Sequence, residues 1–275
     1  MRTVLIIAAK EVRDGLRNRW VLAATGLLAV FALTLAFLGA SPTGAVKVSP
    51  LAVTVVSLSS LTIFLVPLIA LLLSYDAIVG EVDRGTMALL LAYPVARWQV
   101  VLGKFLGHLA ILAFATVVGY GAAGAALTAV HGLDPEAGRA FAGMVGSSVL
   151  LGGAFVAIGY LVSTLVRDRG TAAGIAIGVW LFFVLVYDMA LLGVLVADQG
   201  RFIDASAMTW LLLLDPADIY RLLNLTGTAG VSAFAGMSGM ADQLEVGPAV
   251  MAAALVAWIA IPLAAAMALF ARRSV

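Results

Sequence analysis

Six runs of twenty or more residues almost free of charge dominate this chain. They fall at about Trp20–Gly39, Ala52–Ser74, Phe105–Val130, Phe141–Val166, Thr171–Val196 and Gly247–Phe270. A hydrocarbon core about 30 Å thick needs about 20 apolar residues per helix, so each run is long enough to cross a bilayer. The balance of the chain agrees: 63% of its 275 residues are hydrophobic and 11% charged, against about 25% charged in a soluble domain. Too few polar side chains remain to wet an ordinary surface, so the expected fold is an all-α integral membrane protein with six transmembrane helices. The first run follows basic residues and closes on "LGA", like a secretory leader. Its length exceeds the usual 7–15-residue apolar core, which predicts an uncleaved anchor.

The positions of Lys and Arg set the expected orientation. One side collects Arg2, Lys10, Arg13, Arg17, Arg19, Arg84, Arg97, Lys104, Arg167, Arg169, Arg272 and Arg273. The other holds only Lys47, Arg139, Arg201 and Arg221. Both termini are therefore expected in the cytoplasm. Residues 1–19 place Leu5, Ala8, Val12 and Leu16 on one helical face and Lys10, Arg13 and Arg17 on the other. Such a segment is expected to lie along the cytoplasmic leaflet; a plain basic flank is the simpler alternative.

Residues 197–246 form the longest expected extramembrane segment on the other side. It is acidic, with Asp198, Asp204, Asp215, Asp218, Asp242 and Glu245 against Arg201 and Arg221. Within it "LLDPADIYRLLNLTG" predicts a short outer helix, with Asp215 as N-cap, Pro216 in the first turn, Asp218 three residues past the cap and Gly227 beyond the end.

Signs of chemistry are sparse. Net charge is +1 and no basic-aromatic interleaving argues for nucleic acid. Cysteine is absent, which removes disulfides, thiolate metal sites and a cysteine nucleophile. No phosphate-binding G-x-x-x-x-G-K-[ST] loop, H-E-x-x-H or G-x-S-x-G occurs. The two histidines, His108 and His131, fall at opposite ends of the third run, so no metal site, catalytic residue or cofactor is assigned to the chain. Asp188 is the one acidic residue inside a run, about 25 Å along the fifth helix at 1.5 Å per residue. It reads either as a pathway or gate residue or as a partner for a neighbouring helix. Met237 and Met240 could hold Cu(I) only with a further soft ligand, and read as loop residues. Gly103/Gly107 and Gly174/Gly178 are G-x-x-x-G pairs suited to close helix approach, within the chain or between copies. Pro67 and Pro262 should kink the second and sixth spans.

Residues 75–104 gather Asp76, Glu81, Asp83, Arg84, Arg97 and Lys104 between the second and third runs. Thr86 follows Gly85 and opens "MALLLA", which Pro94 closes. That pattern predicts an N-cap, a short amphipathic helix over 86–92 and a stop, a docking element for a partner rather than a bare turn.

The stretch "GEVDRGTMALLLAYPVARWQVVLGK" resembles the signature of the permease subunits of type-2 ABC exporters, matching at Glu81, Gly85, Thr86, Leu90, Pro94, Arg97, Gly103 and Lys104. "AAKEVRDGLRNRW", with Lys10 and Glu11, is similar to the elbow helix that opens such permeases. The resemblance implies an ATPase-coupling surface at Glu81, Asp83, Arg84, Gly85, Thr86, Leu90, Pro94, Arg97 and Lys104. Within the family, "RNRW", "PLIALLLSYDAIVGE", "GKFLGH" with His108, Asp188 and "LLDPADIYRLLNLTG" resemble permeases that serve nitrous oxide reductase maturation. That likeness implies a single permease domain over residues 1–275 in the bacterial inner membrane, a second copy of the chain, two separate ATPase subunits carrying ATP-Mg, and a periplasmic partner protein. It further implies passage of a sulfur species toward a copper-sulfide centre, with Asp188 and His108 on the pathway or gate and Asp215, Asp218, Tyr220 and Arg221 facing the periplasmic partner. An exporter of a drug, lipid or glycan would share every coupling feature. A proton-driven transporter using Asp188 and an intramembrane enzyme are the remaining readings.

Overall fold

A computed structural model describes residues 1–38, 50–132, 135–198, 205–226 and 247–273, and within them every regular element is helical. The chain opens with α1 (Arg2–Leu16), followed by the spans α2 (Arg19–Leu38) and α3 (Pro50–Ser74). Two short helices, α4 (Val79–Asp83) and α5 (Thr86–Leu91), lead into α6 (Arg97–His131) and α7 (Pro135–Leu165). The fifth span is α8 (Arg169–Leu181), a π-helical turn over Phe182–Val186, and α9 (Tyr187–Asp198). Then come α10 (Ala205–Leu213), α11 (Pro216–Thr226) and the sixth span, α12 (Pro248–Arg272). Six of these helices are long and apolar enough to cross a membrane, as the sequence predicts. Lys47, Arg201, Asp204, Gly227, Met237, Met240, Asp242 and Glu245 lie outside the described residues.

The helix α6 starts eight residues before the expected Phe105. Ala96 N–H donates to Gln99 Oε1 at 3.1 Å, which starts the helix directly after the Pro94 stop. At 1.5 Å per residue it is about 50 Å long and must project beyond a 30 Å core.

Span four is the hub, with 72% of its apolar window buried inside the chain; span five has 6% and lies at the rim. Helices α3 and α12 pack on α7, while α1 and α2 line α6. The α3–α7 approach depends on Gly159, because a Cβ there would collide with Ser74 Oγ. Tyr120, Tyr160 and Tyr220 are fully buried. A buried phenol needs a hydrogen-bond partner, and each has one: Thr62 Oγ1 at 2.8 Å, His108 Nδ1 at 2.9 Å and Ser148 Oγ at 3.0 Å. Pro67 and Pro262 sit inside α3 and α12 as expected.

The N-terminal helix docks on α6 by a face other than its apolar stripe of Leu5, Ala8, Val12 and Leu16. Its docked face is Val4, Ile7 and Glu11, whereas Leu5 and Leu16 are exposed. A Cβ on Gly103 would lie 2.8 Å from Ile7 Cβ, and one on Gly107 would lie 2.5 Å from Glu11 Cβ; Gly15 meets Ile111. Contacts advance four residues at a time on both helices, so α1 accompanies α6 in the same direction for about 12 Å rather than lying across it. The Gly103/Gly107 pair is thus spent inside the chain. A Cβ on Gly174 or Gly178 would meet no atom of another element within 4 Å among the described residues, and both glycines face outward.

Between spans five and six the described residues form a hairpin of α10 and α11, and α11 packs against α3, α7 and α12 rather than standing clear of the bundle. Tyr187 Oη donates to Leu211 O at 2.6 Å and Trp258 Nε1 to Leu213 O at 3.2 Å. Tyr187 and Trp258 lie ten or eleven residues inside their spans, so the hairpin tip sits about 15 Å below the ends of those helices. Irregular backbone at such depth survives where protein covers it, and Asp215 Oδ1 caps the tip by accepting from Ala217 N–H at 2.7 Å. The expected N-cap is present, but on a re-entrant element.

Candidate functional site

At the end of the bundle that carries both termini, the loop helices α4 and α5 are tied to four other elements. Ser163 Oγ on α7 accepts from the amides of Ile78 and Val79, both at 3.0 Å, which satisfies free donors at the start of α4. Gly85 then turns the chain with φ of 72°, a left-handed conformation that glycine adopts without a Cβ penalty. Gly85, not Thr86, therefore occupies the N-cap of α5. Thr86 Oγ1 donates backward to Glu81 O at 3.2 Å, joining α5 to α4. Met87 is buried, whereas Asp83, Arg84, Gly85, Thr86, Pro94, Leu89 and Tyr93 are exposed and Leu90 is half-buried. A groove of about 600 Å³ between α1 and α5 exposes Ile6, Leu89 and Tyr93 along its walls.

Lys104 is the centre of this region. It is 3% exposed, and its Nζ lies 2.8 Å from both Glu11 Oε1 on α1 and Glu81 Oε1 on α4. His108, one helical turn further along α6, sets Nε2 3.7 Å from Glu11 Oε2 and Nδ1 against Tyr160. Burial pushes the Glu11 carboxyl up, but the ammonium of Lys104 outweighs it, with His108 and Lys10 adding, and the group is held below its ordinary 4.5. These side chains line a cavity of about 290 Å³ that also meets Asp14, Asp76 and Arg84. His108 thus belongs to this charged cluster.

Arg97 does not face the α5 surface. Its Nη1 donates to the carbonyls of Phe270 at 3.1 Å and Arg273, closing the last turn of α12. Arg273 in turn donates to Ser163 O and Thr164 O at the end of α7. Arg169 binds Asp76 at 2.8 Å. Asp168 caps α8, and the Thr171 amide and hydroxyl hold its carboxyl below the usual range.

At the opposite end, Asp188 and Arg221 meet. Arg221 Nη2 lies 2.7 Å from Asp188 Oδ2, and Nη1 lies 2.5 Å from Asp218 Oδ1. Asp188 lies two residues past the π-helical turn, whose extra residue rotates the rest of the span by about 100° and helps bring the carboxylate onto α11. Of the two roles left open for Asp188, the structure shows the helix-to-helix partnership. Asp215, Asp218 and Tyr220 are buried within the bundle. The expected partner-facing surface is therefore corrected: only Arg221 and Asp188 keep about a third of their side chains exposed.

Six helices of membrane-spanning length and a charged cluster under the short helices α4 and α5 are thus the features that comparison with known proteins has to match. The chain belongs to the ABC-2 family transporter proteins, matching over residues 5–275, and is a multi-pass permease subunit of an ABC transporter. It is 48% identical over 277 residues to the probable ABC transporter permease protein NosY of Stutzerimonas stutzeri, covering 99% of both chains. It is 47% identical over 280 residues to the protein of the same name from Pseudomonas aeruginosa, covering 100% of both.

Proposed function

We propose that this permease serves maturation of the copper-sulfide centre of nitrous oxide reductase, passing a sulfur-containing species across the bacterial inner membrane to the periplasm. The full-length identity of 47–48% to two permeases named NosY carries the reading. The working assembly contains two copies of this chain, two NosF-like ATPase subunits that hold ATP-Mg, and a NosD-like periplasmic protein. Both termini, and with them α1, α4 and α5, lie in the cytoplasm. The excess of Lys and Arg on that side supports this orientation.

Closure of the ATPase subunits on nucleotide presses on α5 through the surface formed by Asp83, Arg84, Gly85, Thr86, Leu90 and Pro94. The Thr86–Glu81 hydrogen bond passes the displacement to α4, and Lys104 passes it to α6 and, through Glu11, to α1. Arg97 carries it to α12. A buried ion triad suits this task because it transmits force between three elements without freely rotating joints.

The test is complementation. A Stutzerimonas stutzeri strain lacking its own NosY is supplied with this chain, and the copper-sulfide centre of the isolated nitrous oxide reductase is measured spectroscopically. Restoration is expected; a reductase still lacking the centre, with the permease present in the membrane, overturns the assignment. An exporter of drugs, lipids or glycans would give that second outcome.

A further inference from the structure

We propose that Asp188, Asp215 and Asp218 form a binding site for a divalent cation of the oxygen-preferring class, Ca²⁺-like in its demands, at the tip of the α10–α11 hairpin. The proposal is independent of the cargo and of the ATPase partner.

One oxygen from each carboxylate can be chosen so that all three lie within 4.8 Å of one another. That separation suits a single ion bound at about 2.3–2.6 Å, the range of Ca²⁺–oxygen bonds. Three carboxylates face one guanidinium, since Arg221 is the cation that binds Asp188 and Asp218 among the described residues. Fully ionised, the three carboxylates would exceed the guanidinium by two negative charges, the charge of one divalent ion; burial and neighbouring carboxylates push Asp215 up to about 8 and Asp218 to about 7, so the ion would bind with release of protons. The second observation concerns individual atoms. Asp215 is 0% and Asp218 2% exposed, yet Oδ2 of each has no hydrogen-bond partner among the described residues. An oxygen taken from water without a partner is costly, and a bound cation removes that cost for both at once.

Asp218 also meets the Asp188 carboxyl side by side, and the other contacts of the three carboxylates go to Ala217 and Arg221. Asp215 Oδ1 accepts from Ala217 N–H. Asp218 Oδ1 accepts from Arg221 at 2.5 Å, and Asp188 accepts from Arg221 through Oδ1 at 3.3 Å and Oδ2 at 2.7 Å. A carboxylate oxygen has room for a second interaction, so Asp188 can hold both the guanidinium and the ion. The donor set is all carboxylate, with no thiolate, thioether or imidazole in the cluster. Such ligands favour Ca²⁺, Mg²⁺ or Mn²⁺ over Cu(I), and the irregular geometry favours the larger ions over Mg²⁺. The ion would pin span five to the hairpin, adding to the links through Arg221 and Tyr187.

The test is Mn²⁺ binding to the full-length chain in zwitterionic lipid nanodiscs, read from loss of the free-ion EPR signal with empty nanodiscs as blank. One Mn²⁺ per chain, displaced by Ca²⁺, is expected. Asp215→Asn and Asp218→Asn should each weaken binding by about 10- to 100-fold, the range seen when even supporting groups around a metal are removed. Asp188→Asn, on a different element and partly exposed, supplies a third variant should the buried ones not fold. Absence of binding in the wild type, or equal binding in wild type and any folded Asn variant, overturns the proposal.

Discussion

Lys104 Nζ on the third span lies 2.8 Å from Glu81 Oε1 on α4, and the lysine is 3% exposed. The loop helices are thereby joined to the membrane bundle by a buried charge pair, with Glu11 as the second carboxylate.

Replacing Lys104 with Met should destabilise the chain by about 3–5 kcal/mol, because two mostly buried carboxylates lose their counter-charge. Thermal unfolding in nanodiscs measures this. The triple variant Lys104→Met/Glu11→Gln/Glu81→Gln should recover most of the loss and still fail to support maturation of the reductase. Equal failure to fold in both variants would mean the triad is structural only.

Gly107 faces Glu11 so closely that no larger residue fits without moving α1. Gly107→Leu should undock the N-terminal helix. The protein has no cysteine, so Ile7→Cys gives a single reporter. It should resist a membrane-impermeant maleimide in the parent and react at least several-fold faster with Gly107→Leu added. Unchanged labelling would refute the α1–α6 packing.

Acidification should loosen the same contact. Glu11 has its pKa held below 4.5, and a depressed carboxyl contributes stability that is present above the unfolded value and lost as pH falls through the folded one. Labelling of Ile7→Cys relative to a Leu5→Cys reference on the exposed face, which cancels the fall of thiolate with pH, should therefore stay constant from pH 7 to 5 and rise only below about 4.5. A rise centred near pH 6 would show that the contact does not rest on the Glu11 carboxylate.

Leu89 and Tyr93 are 69% and 70% exposed beside the α1–α5 groove. Changing either to Ser should leave thermal stability within about 0.5 kcal/mol, as for most surface substitutions. Co-purification of the ATPase subunit should drop sharply. Undiminished co-purification would place the ATPase contact elsewhere.

Arg221→Leu should cost about 1.5–3 kcal/mol, the usual worth of hydrogen bonds to charged groups, and free the hairpin tip from span five. The double variant Arg221→Leu/Asp188→Leu should be less damaged than the single one. Additive losses would show that the two residues do not interact.

The hairpin also shows where reading the chain alone falls short. "AMTWLLLL", residues 207–214, is apolar enough for lipid and too short to cross it, the pattern expected of a re-entrant segment. That signal was available, yet the charges around it favour an outer loop. Gly103 and Gly107 announced a close approach, but their spacing carries no information about whether α1 or a second copy fills it. Arg97 stood among loop charges, and only the fold brought it to Phe270, 173 residues away.

The six spans and the charged segment between the second and third were determined by sequence alone, because a bilayer of set thickness admits only helices with an apolar run long enough to cross it. Tertiary structure decided who meets whom: Lys104 with Glu11 and Glu81, Asp188 with Arg221, and α11 turned inward. Each of those outcomes depends on helices packing at particular faces, and side-chain partners far apart in the chain become neighbours only when that packing is complete.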